Sequence, residues 1–314
     1  MWTFSRRKKR SRYTSSEFSG CASDTVRRRE KLVVRIMGHE DIDFAVSMTH
    51  LEGWLYHSKE LERMLRFDPE GSFVYEDRSP IAFITSITYG RTGVVGHLIV
   101  SEKARGKRIG ETLVKKAIDY MEGRGVTSIM LFSTKQGFGL YKRLGFRPTK
   151  EALCIQSRTA PLPTPKGCEG LSRVAPDDLN GICKVDSKLF GDDRSRLVRE
   201  LYREYPDLCF RIRREGKIVG YGFGRTTSAA NDFGPWACET GRTEDAQALY
   251  DSVMSQFRSG DVYMGVFAEN QNARKIADRL EAVRTWETTL MVRGEERYTG
   301  PSQGLYGPTA FELG

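Results

Sequence analysis

The chain reads as an α/β protein built from two similar domains, and three observations carry that reading. With 314 residues it exceeds the usual size of a single domain, and each half is long enough to bury a core of its own. Short runs rich in Val, Ile and Phe alternate with stretches whose apolar residues recur at helical spacing. The second half then echoes the first, because Phe73…Ile81…Gly90-Arg91-Thr92 finds a counterpart in Phe210…Ile218…Gly224-Arg225-Thr226.

Taken in order, Leu32–Met37 predicts a first strand. From His39 to about Arg66, Phe44, Ala45, Met48, Leu51, Leu55, Leu61, Met64 and Leu65 fall near helical spacing and predict one or two helices. Phe73–Tyr75 and Ile81–Thr88 predict strands joined by the polar turn Glu76-Asp77-Arg78-Ser79-Pro80, and Val94–Val100 predicts the next. Ile109–Met121 carries the clearest helical stripe, with Ile109, Leu113, Ala117 and Met121 every four residues and Val114 and Ile118 beside them. Gly123-Arg124-Gly125 ends it. Ser128–Phe132 predicts a short strand, Phe138–Leu144 a short helix capped by Gly145, and Phe146–Ile155 a further strand. Residues 157–167 hold three prolines and little apolar surface, the composition of a stiff linker. In the second half, Arg214-Glu215-Gly216-Lys217 turns between paired strands, Asp245–Phe257 predicts a helix, Val262–Phe267 a strand and Ala273–Leu280 another helix. Tyr298–Gly314 is punctuated by Gly and Pro and predicts an extended, packed segment.

Charge narrows the functional classes. Residues 1–31 hold ten Lys and Arg against three Asp and Glu, so they carry net +7 of the chain's +9. The high pI therefore belongs to this segment, which is too polar to bury anything and predicts disorder. Two readings stand for it: a targeting or nucleic-acid arm, or a plain solvated extension. It lacks the apolar stretch of a secretory signal, and no apolar run approaches the roughly 18–20 residues of a membrane span. No basic and aromatic residues interleave elsewhere, so nucleic-acid binding by the folded part is not expected. The cysteines (21, 154, 168, 183, 209 and 238) form no Cys-x-x-Cys, which argues against zinc and suits a reducing, cytoplasmic setting. Cys154 lies in an apolar run and reads as inert core.

The segment Val94–Phe146 carries the chemistry. A strand leads into the turn Arg105-Gly106-Lys107-Arg108-Ile109-Gly110, which opens a helix. Backbone N–H groups at a helix start point at a ligand, the helix dipole favours negative charge, and the turn's cations add Coulomb attraction. The alternative is a basic loop whose Lys107 and Arg108 are merely solvated.

Two motifs resemble the GNAT superfamily of acyl-CoA-dependent N-acyltransferases. Arg105, Ile109 and Gly110 fit its Gln/Arg-x-x-Gly-x-Gly/Ala phosphate motif, with Arg108 at the usual middle Gly. Leu140-Tyr141-Lys142-Arg143-Leu144-Gly145-Phe146 is similar to its Leu-Tyr-x-x-x-Gly-Phe. The resemblance implies two tandem GNAT-like domains, each a mixed, mostly antiparallel twisted sheet flanked by helices. The expected division is a disordered basic segment 1–31, a catalytic domain 32–156, the linker 157–167, and a diverged domain 168–314 without an acyl-CoA site. It further implies acetyl-CoA as co-substrate and no metal. Pantetheine is expected to pair with Leu98, Ile99 and Val100 like an added strand. Amides from Arg105 through Gly106, Lys107, Arg108, Ile109 and Gly110 are expected to cradle the pyrophosphate. Gly106 would permit close approach and Gly110 would let the helix sit tightly on the sheet. For Arg108 the favoured expectation is a helical, unstrained backbone; φ > 0 would cost an Arg about 1–2 kcal/mol.

The resemblance makes Tyr141 the catalytic acid that protonates the departing thiolate, against the alternative of an ordinary half-buried Tyr. Glu52 is the first candidate base and His97 a second; the bland readings are a solvated helix residue and a hydrogen-bonded strand histidine. Trp54 and Tyr56 read either as lining of the acceptor pocket or as core. In the second half, Glu239-Thr240-Gly241-Arg242-Thr243-Glu244-Asp245 matches the phosphate turn. There Glu244 and Asp245 would repel a pyrophosphate, and Ala277 stands near the place of Tyr141. The leading function is direct transfer of an acetyl group to a primary amine. The competing one is an acyl-CoA sensor or pseudoenzyme without turnover. The acceptor stays open, with a small molecule favoured over a protein; no membrane is expected, nucleic acid is not favoured, and a homodimer is compatible with the sequence.

Overall fold

The computed structural model describes residues 33–54, 56–158, 168–227, 230–279, 282–297 and 304–314. The basic segment 1–31, most of the expected linker, Leu55 and the Leu280–Glu281 part of the repeat lie outside the described residues. The first half runs β1 (Val33–Ile36), α1 (Ile42–Leu51), α2 (Ser58–Phe67), β2 (Phe73–Asp77), β3 (Ser79–Ile84), β4 (Ser86–Tyr89), β5 (Thr92–Val95), β6 (Ile99–Val100), α3 (Ile109–Gly123), β7 (Ser128–Ser133), α4 (Lys135–Arg143) and β8 (Arg147–Arg158). The second half runs β9 (Leu171–Arg173), α5 (Leu179–Phe190), α6 (Ser195–Glu204), β10 (Cys209–Arg214), β11 (Lys217–Thr226), β12 (Ala230–Cys238), α7 (Thr243–Met254), β13 (Asp261–Phe267), α8 (Gln271–Ala277), β14 (Ala282–Gly294) and β15 (Leu305–Gly307).

Helical spacing and capping explain the helices. The buried stripe of α3 is Ile109, Leu113, Val114, Ala117, Ile118 and Met121. Thr134 caps α4 and Asn270 caps α8, each accepting from the amide three residues on. Where one strand was expected over Val94–Val100, two short ones form. The break falls at Gly96, whose added Cβ would lie 2.5 Å from Thr85 Oγ1 and 2.8 Å from Glu312 Cβ. A glycine permits that close approach.

The break divides the sheets. Strands β1-β2-β3-β6 make one sheet, and β4-β5-β7-β14-β8-β13-β12-β11-β10-β9 make a second, with β15 on β12. Each half lends its last long strand to the other: β14 lies between β7 and β8, and β8 lies between β14 and β13. Ala282 pairs with Ser157 at one end of the β14–β8 ladder and Val292 with Arg147 at the other. Residues 32–314 accordingly cluster as one unit. A central core joins Val94 and Met130 to Tyr221 and Phe223, while separate cores lie under α3 and under α1–α2.

Candidate active site

A gap opens where the first half's two sheets part. β5 pairs in parallel with β7 from Thr92↔Ser128 to Val95↔Leu131, and the pairing then stops. Beyond it β6 turns to β3, pairing Ile99 with Phe83 and Val100 with Ala82, and the Ser101 amide donates to Ile81 O at 2.9 Å. Antiparallel alternation commits the backbone of Ile99 and Ser101 to β3. The backbone of Leu98 and Val100 therefore faces the gap, and Val100 O accepts there from Arg105 Nε at 3.0 Å. Of the three residues expected to pair with a ligand strand, Leu98 and Val100 are oriented to do so and Ile99 is not. Phe132 and Ser133, beyond the last β5 partner, form the opposite rim.

The turn over this gap leaves its backbone donors free. Gly106 takes φ +80 and Arg108 φ +60, so two left-handed residues curl the amides inward. This corrects the expectation of a helical Arg108: it is the residue preceding α3, at φ 60 and ψ 17. No side chain caps α3 there, and among the described residues nothing accepts from the amides of 106–111. Uncapped first-turn donors at a dipole's positive end suit a phosphate. Lys107 and Arg108 are exposed and without an ion pair among the described residues. A Cβ built on Gly110 would lie 3.6 Å from Leu140 Cδ2, 3.7 Å from Leu98 Cδ2 and 3.7 Å from Val100 Cγ2. Those are ordinary contacts, so helix packing does not demand glycine here. The Cβ would instead stand in the mouth of the gap, which fits an acyl-CoA threaded past it.

Tyr141 hangs from α4, which follows the far arm of the gap. It is 7% exposed, and its ring sits edge-to-face on Phe146 at 5.8 Å. Gly137, one turn earlier, makes room for it: a Cβ there would lie 2.8 Å from Tyr141 Cε2. Burial raises the phenol's pKa, so it stays protonated at neutral pH. Glu52, just past α1, ion-pairs with Arg105 of the turn. That contact ties the α1 end to the phosphate loop and occupies the carboxylate.

His97 lies on the other face of the strand. Its Nδ1 meets Thr85 Oγ1 at 3.0 Å, its amide donates to the same oxygen at 3.1 Å, and its Nε2 is buried without a partner. Burial lowers its pKa against the pull of Glu312, keeping the ring neutral. Tyr56 packs edge-on at 4.3 Å and donates to Glu312 Oε2 at 2.6 Å, so Tyr56 is both aromatic wall and polar contact. Trp54 packs at 6.4 Å and belongs to the core under α1–α2.

Sequence reasoning missed the contribution of residues 304–314. In the second half, β12 pairs with β13 only from Ala230↔Asp261 to Phe233↔Met264, repeating the first half's divergence. Here β15 fills the opening: Trp236 pairs with Gly307, Ala237 with Leu305, and the Cys238 amide donates to Gly304 O at 2.9 Å. Asn270 Nδ2 holds Leu305 O at 3.1 Å from the far side. Both helix starts hold acidic residues, Glu244 and Asp245 in α7 and Glu111 in α3. Glu111 stands in the first turn of α3 as Asp245 does in that of α7, the one paired with Lys115 and the other with Arg214 and Arg242. A strand of the chain itself does distinguish the two halves. Past β15 the same segment crosses to the first half, where Phe311 meets Phe132 at 4.9 Å and Glu312 reaches Gly96. The only cue was the Gly/Pro-punctuated composition of that stretch.

Among the described residues no group of His, Cys, Asp and Glu is arranged to hold a metal, and no helix is long and apolar enough to cross a membrane. The acetyltransferase (GNAT) family model matches residues 40–146, and the acetyltransferase (GNAT) domain model matches 182–307. The uncharacterized N-acetyltransferase YitH of Bacillus subtilis (strain 168) is 27% identical over 187 residues, 58% of this chain and 64% of YitH. The chain thus spans less than two thirds of that relative's length. A provisionally assigned acetyltransferase from Pyrococcus horikoshii shares the fold at TM-score 0.74 and 19% identity, over 93% of this chain and 98% of that one. A tandem GNAT protein from the clavulanic acid biosynthesis pathway does so at TM-score 0.62 and 12% identity, over 84% of this chain and 98% of that one. With one model on each half, the gap, the uncapped turn and Tyr141 in the first, and the same framework closed by β15 in the second, the chain belongs to the GNAT acetyltransferases, an acyltransferase enzyme family, and carries their domain twice in tandem.

Proposed function

We propose that the first half transfers an acetyl group from acetyl-CoA directly to a primary amine, and that the second half binds no acyl-CoA of its own. The observation that carries this is the uncapped start of α3 set over the gap between β6 and β7, with Gly110 leaving its mouth open. The pyrophosphate would rest on the amides of Arg105 to Gly110, aided by Lys107 and Arg108, and pantetheine would bond to the backbone of Leu98 and Val100. The amine nitrogen attacks the thioester carbon, a C–N bond forms and the C–S bond breaks. The thiolate takes a proton, and the amine gives up one to a base before attack and a second on forming the amide. Tyr141, kept protonated by burial, is the proton donor to sulfur. Glu52, engaged by Arg105, supports binding of the turn more directly than proton abstraction.

Calorimetry with CoA, paired with a thiol-release assay on acetyl-CoA and a panel of amines, tests the reading. Micromolar CoA binding and amine-dependent thiol release are expected. Binding without release from any amine would favour the sensor; absence of CoA binding would end the proposal.

A further inference from the structure

The gap between β6 and β7 narrows to a vertex, and the closing segment brings a buried carboxylate to it. We propose that Glu312 is the base that takes a proton from the ammonium of the acceptor. The inference rests on the acetyl-transfer reading above and supplies the base for its first proton transfer.

Pairing of β5 with β7 stops at Val95↔Leu131, so Gly96 and Phe132 mark the vertex. A ligand strand that starts at the turn and bonds to Val100 and then Leu98 runs toward them, and its thioester end comes nearest. Glu312 packs on one side of the vertex: a Cβ built on Gly96 would lie 2.8 Å from Glu312 Cβ and 3.4 Å from its Cα. Phe311 packs on the other side, 4.9 Å from Phe132 between ring centroids. The segment spans the vertex on the face away from α3. Phe311 and Leu313 join the core of Val94 and Met130, whereas Val95 and Leu131 join the core under α3. The carboxylate itself lies beside the strand, because Tyr56, its hydrogen-bond donor, packs edge-on against His97 at 4.3 Å. An amine held by Glu312 thus meets the thioester from the face opposite α3.

The state of this side chain is a second, independent sign. Glu312 is 6% exposed, and its one side-chain hydrogen bond comes from the Tyr56 hydroxyl to Oε2 at 2.6 Å. No cation among the described residues pairs with it. Oε1 receives no hydrogen bond from a described residue and is not among the atoms sealed from solvent. Burying a carboxylate without a countercharge is unfavourable, and an ammonium offsets it. The nearby guanidinium serves another purpose. Arg194 pairs with Asp186 at 2.6 Å, and its NH1 donates to Thr309 Oγ1 at 3.1 Å and to Gly314 O at 2.5 Å. The Tyr89 hydroxyl holds Leu313 O at 3.2 Å. The backbone on both sides of Glu312 is therefore fixed before a substrate arrives, as proton transfer needs.

The other candidate bases are engaged differently. Glu52 is held by Arg105. His97 Nδ1 meets Thr85 Oγ1 at 3.0 Å, and that oxygen already accepts the His97 amide at 3.1 Å. The hydroxyl hydrogen has no other acceptor among the described residues, so the hydrogen-bond pattern assigns it to Nδ1 and the ring proton to Nε2. Burial keeps the ring neutral. His97 Nε2 then offers a hydrogen rather than a lone pair, and Glu312 is left as the proton acceptor at the vertex. The step balances. Oε1 takes one proton from the ammonium, and the lone pair so freed attacks the thioester carbon. The C–N bond forms, the C–S bond breaks, and Tyr141 protonates the thiolate. The second nitrogen proton restores the Tyr141 phenol, and Glu312 releases the first to solvent.

Thiol release from acetyl-CoA by the full chain at neutral pH, with propylamine and with methoxyamine in excess, tests this. Propylamine arrives as its ammonium and needs a base before attack; methoxyamine arrives unprotonated and does not. Glu312→Gln should lower kcat by about a hundredfold or more with propylamine and by less than about threefold with methoxyamine, while calorimetric CoA affinity holds. Tyr56→Phe, which removes the donor that positions Oε2, should give the same selective loss at about tenfold. Equal losses with the two amines, or no loss, overturn the assignment of Glu312 and leave acetyl transfer standing. Should Glu312→Gln fail to bind CoA, Glu312→Asp takes its place under the same criterion. A parent chain that binds no CoA overturns both readings.

Discussion

Arg108 holds a left-handed backbone at the mouth of the phosphate turn, a conformation that an Arg adopts at a cost. Arg108→Gly should therefore raise unfolding free energy by up to about 1 kcal/mol in urea titration without ligand. The same change removes a cation from the turn, so CoA should bind more weakly; an unstrained Arg108 would give no gain in stability. Tyr141→Phe keeps the ring in its niche beside Gly137 and Phe146 but removes the proton. It should lower kcat by about a hundredfold or more while calorimetric CoA affinity holds. Glu60 carries a pH signature. Its pKa is raised in the folded chain, so the native state holds more protons than the unfolded one between about 4.5 and about 7, and stability falls as pH rises through that window. Glu60→Gln should accordingly be more stable than the parent chain at pH 8 and lose that advantage at pH 5, as thermal melts at the two values would report.

At the scale of elements, a short strand distinguishes the two halves, because β15 fills in the second the opening that the first leaves between β6 and β7. β15 pairs with β12 past the point where β12 leaves β13, the place that a bound pantetheine would take beside β6 in the first half. Gly307 lets it enter, because a Cβ there would lie 2.5 Å from Gly265 O. Gly307→Val should destabilise the chain by about 1–3 kcal/mol. It should also speed amide exchange at Ala237 and Cys238, measured by hydrogen–deuterium exchange. Unchanged exchange would mean that β15 does not hold that edge. Sequence patterns located α3, α4 and β7 well, since each owes its form to spacing or a local cap. They merged β5 and β6, because a break caused by contact with Thr85 and Glu312 leaves no periodic trace.

The whole molecule is held by exchanged strands. β8 has both its ladders with β13 and β14, so of the first half's two sheets the one holding β4, β5 and β7 is completed only by strands of the second half. The chain should melt in a single calorimetric transition for residues 33–314, and a fragment ending at Arg158 should fail to give a folded near-ultraviolet spectrum. Two separate transitions would show that the exchange does not couple the halves. The second half thus meets the first through β14 and through the closing segment, where Phe311 packs on Phe132 and Glu312 accepts from Tyr56, rather than as a neighbour joined by a linker.

Local chemistry made the family, the repeat, the turn that opens α3 and the short helix bearing Tyr141 legible in the amino-acid order, because each rests on residues close together in the chain. Which rim residues face the gap, what closes the second opening, and the hydrogen bond of Tyr56 to Glu312 were decided only by tertiary structure. Strand register, strand exchange and a returning segment bring together groups more than a hundred residues apart, and no local pattern encodes such a meeting.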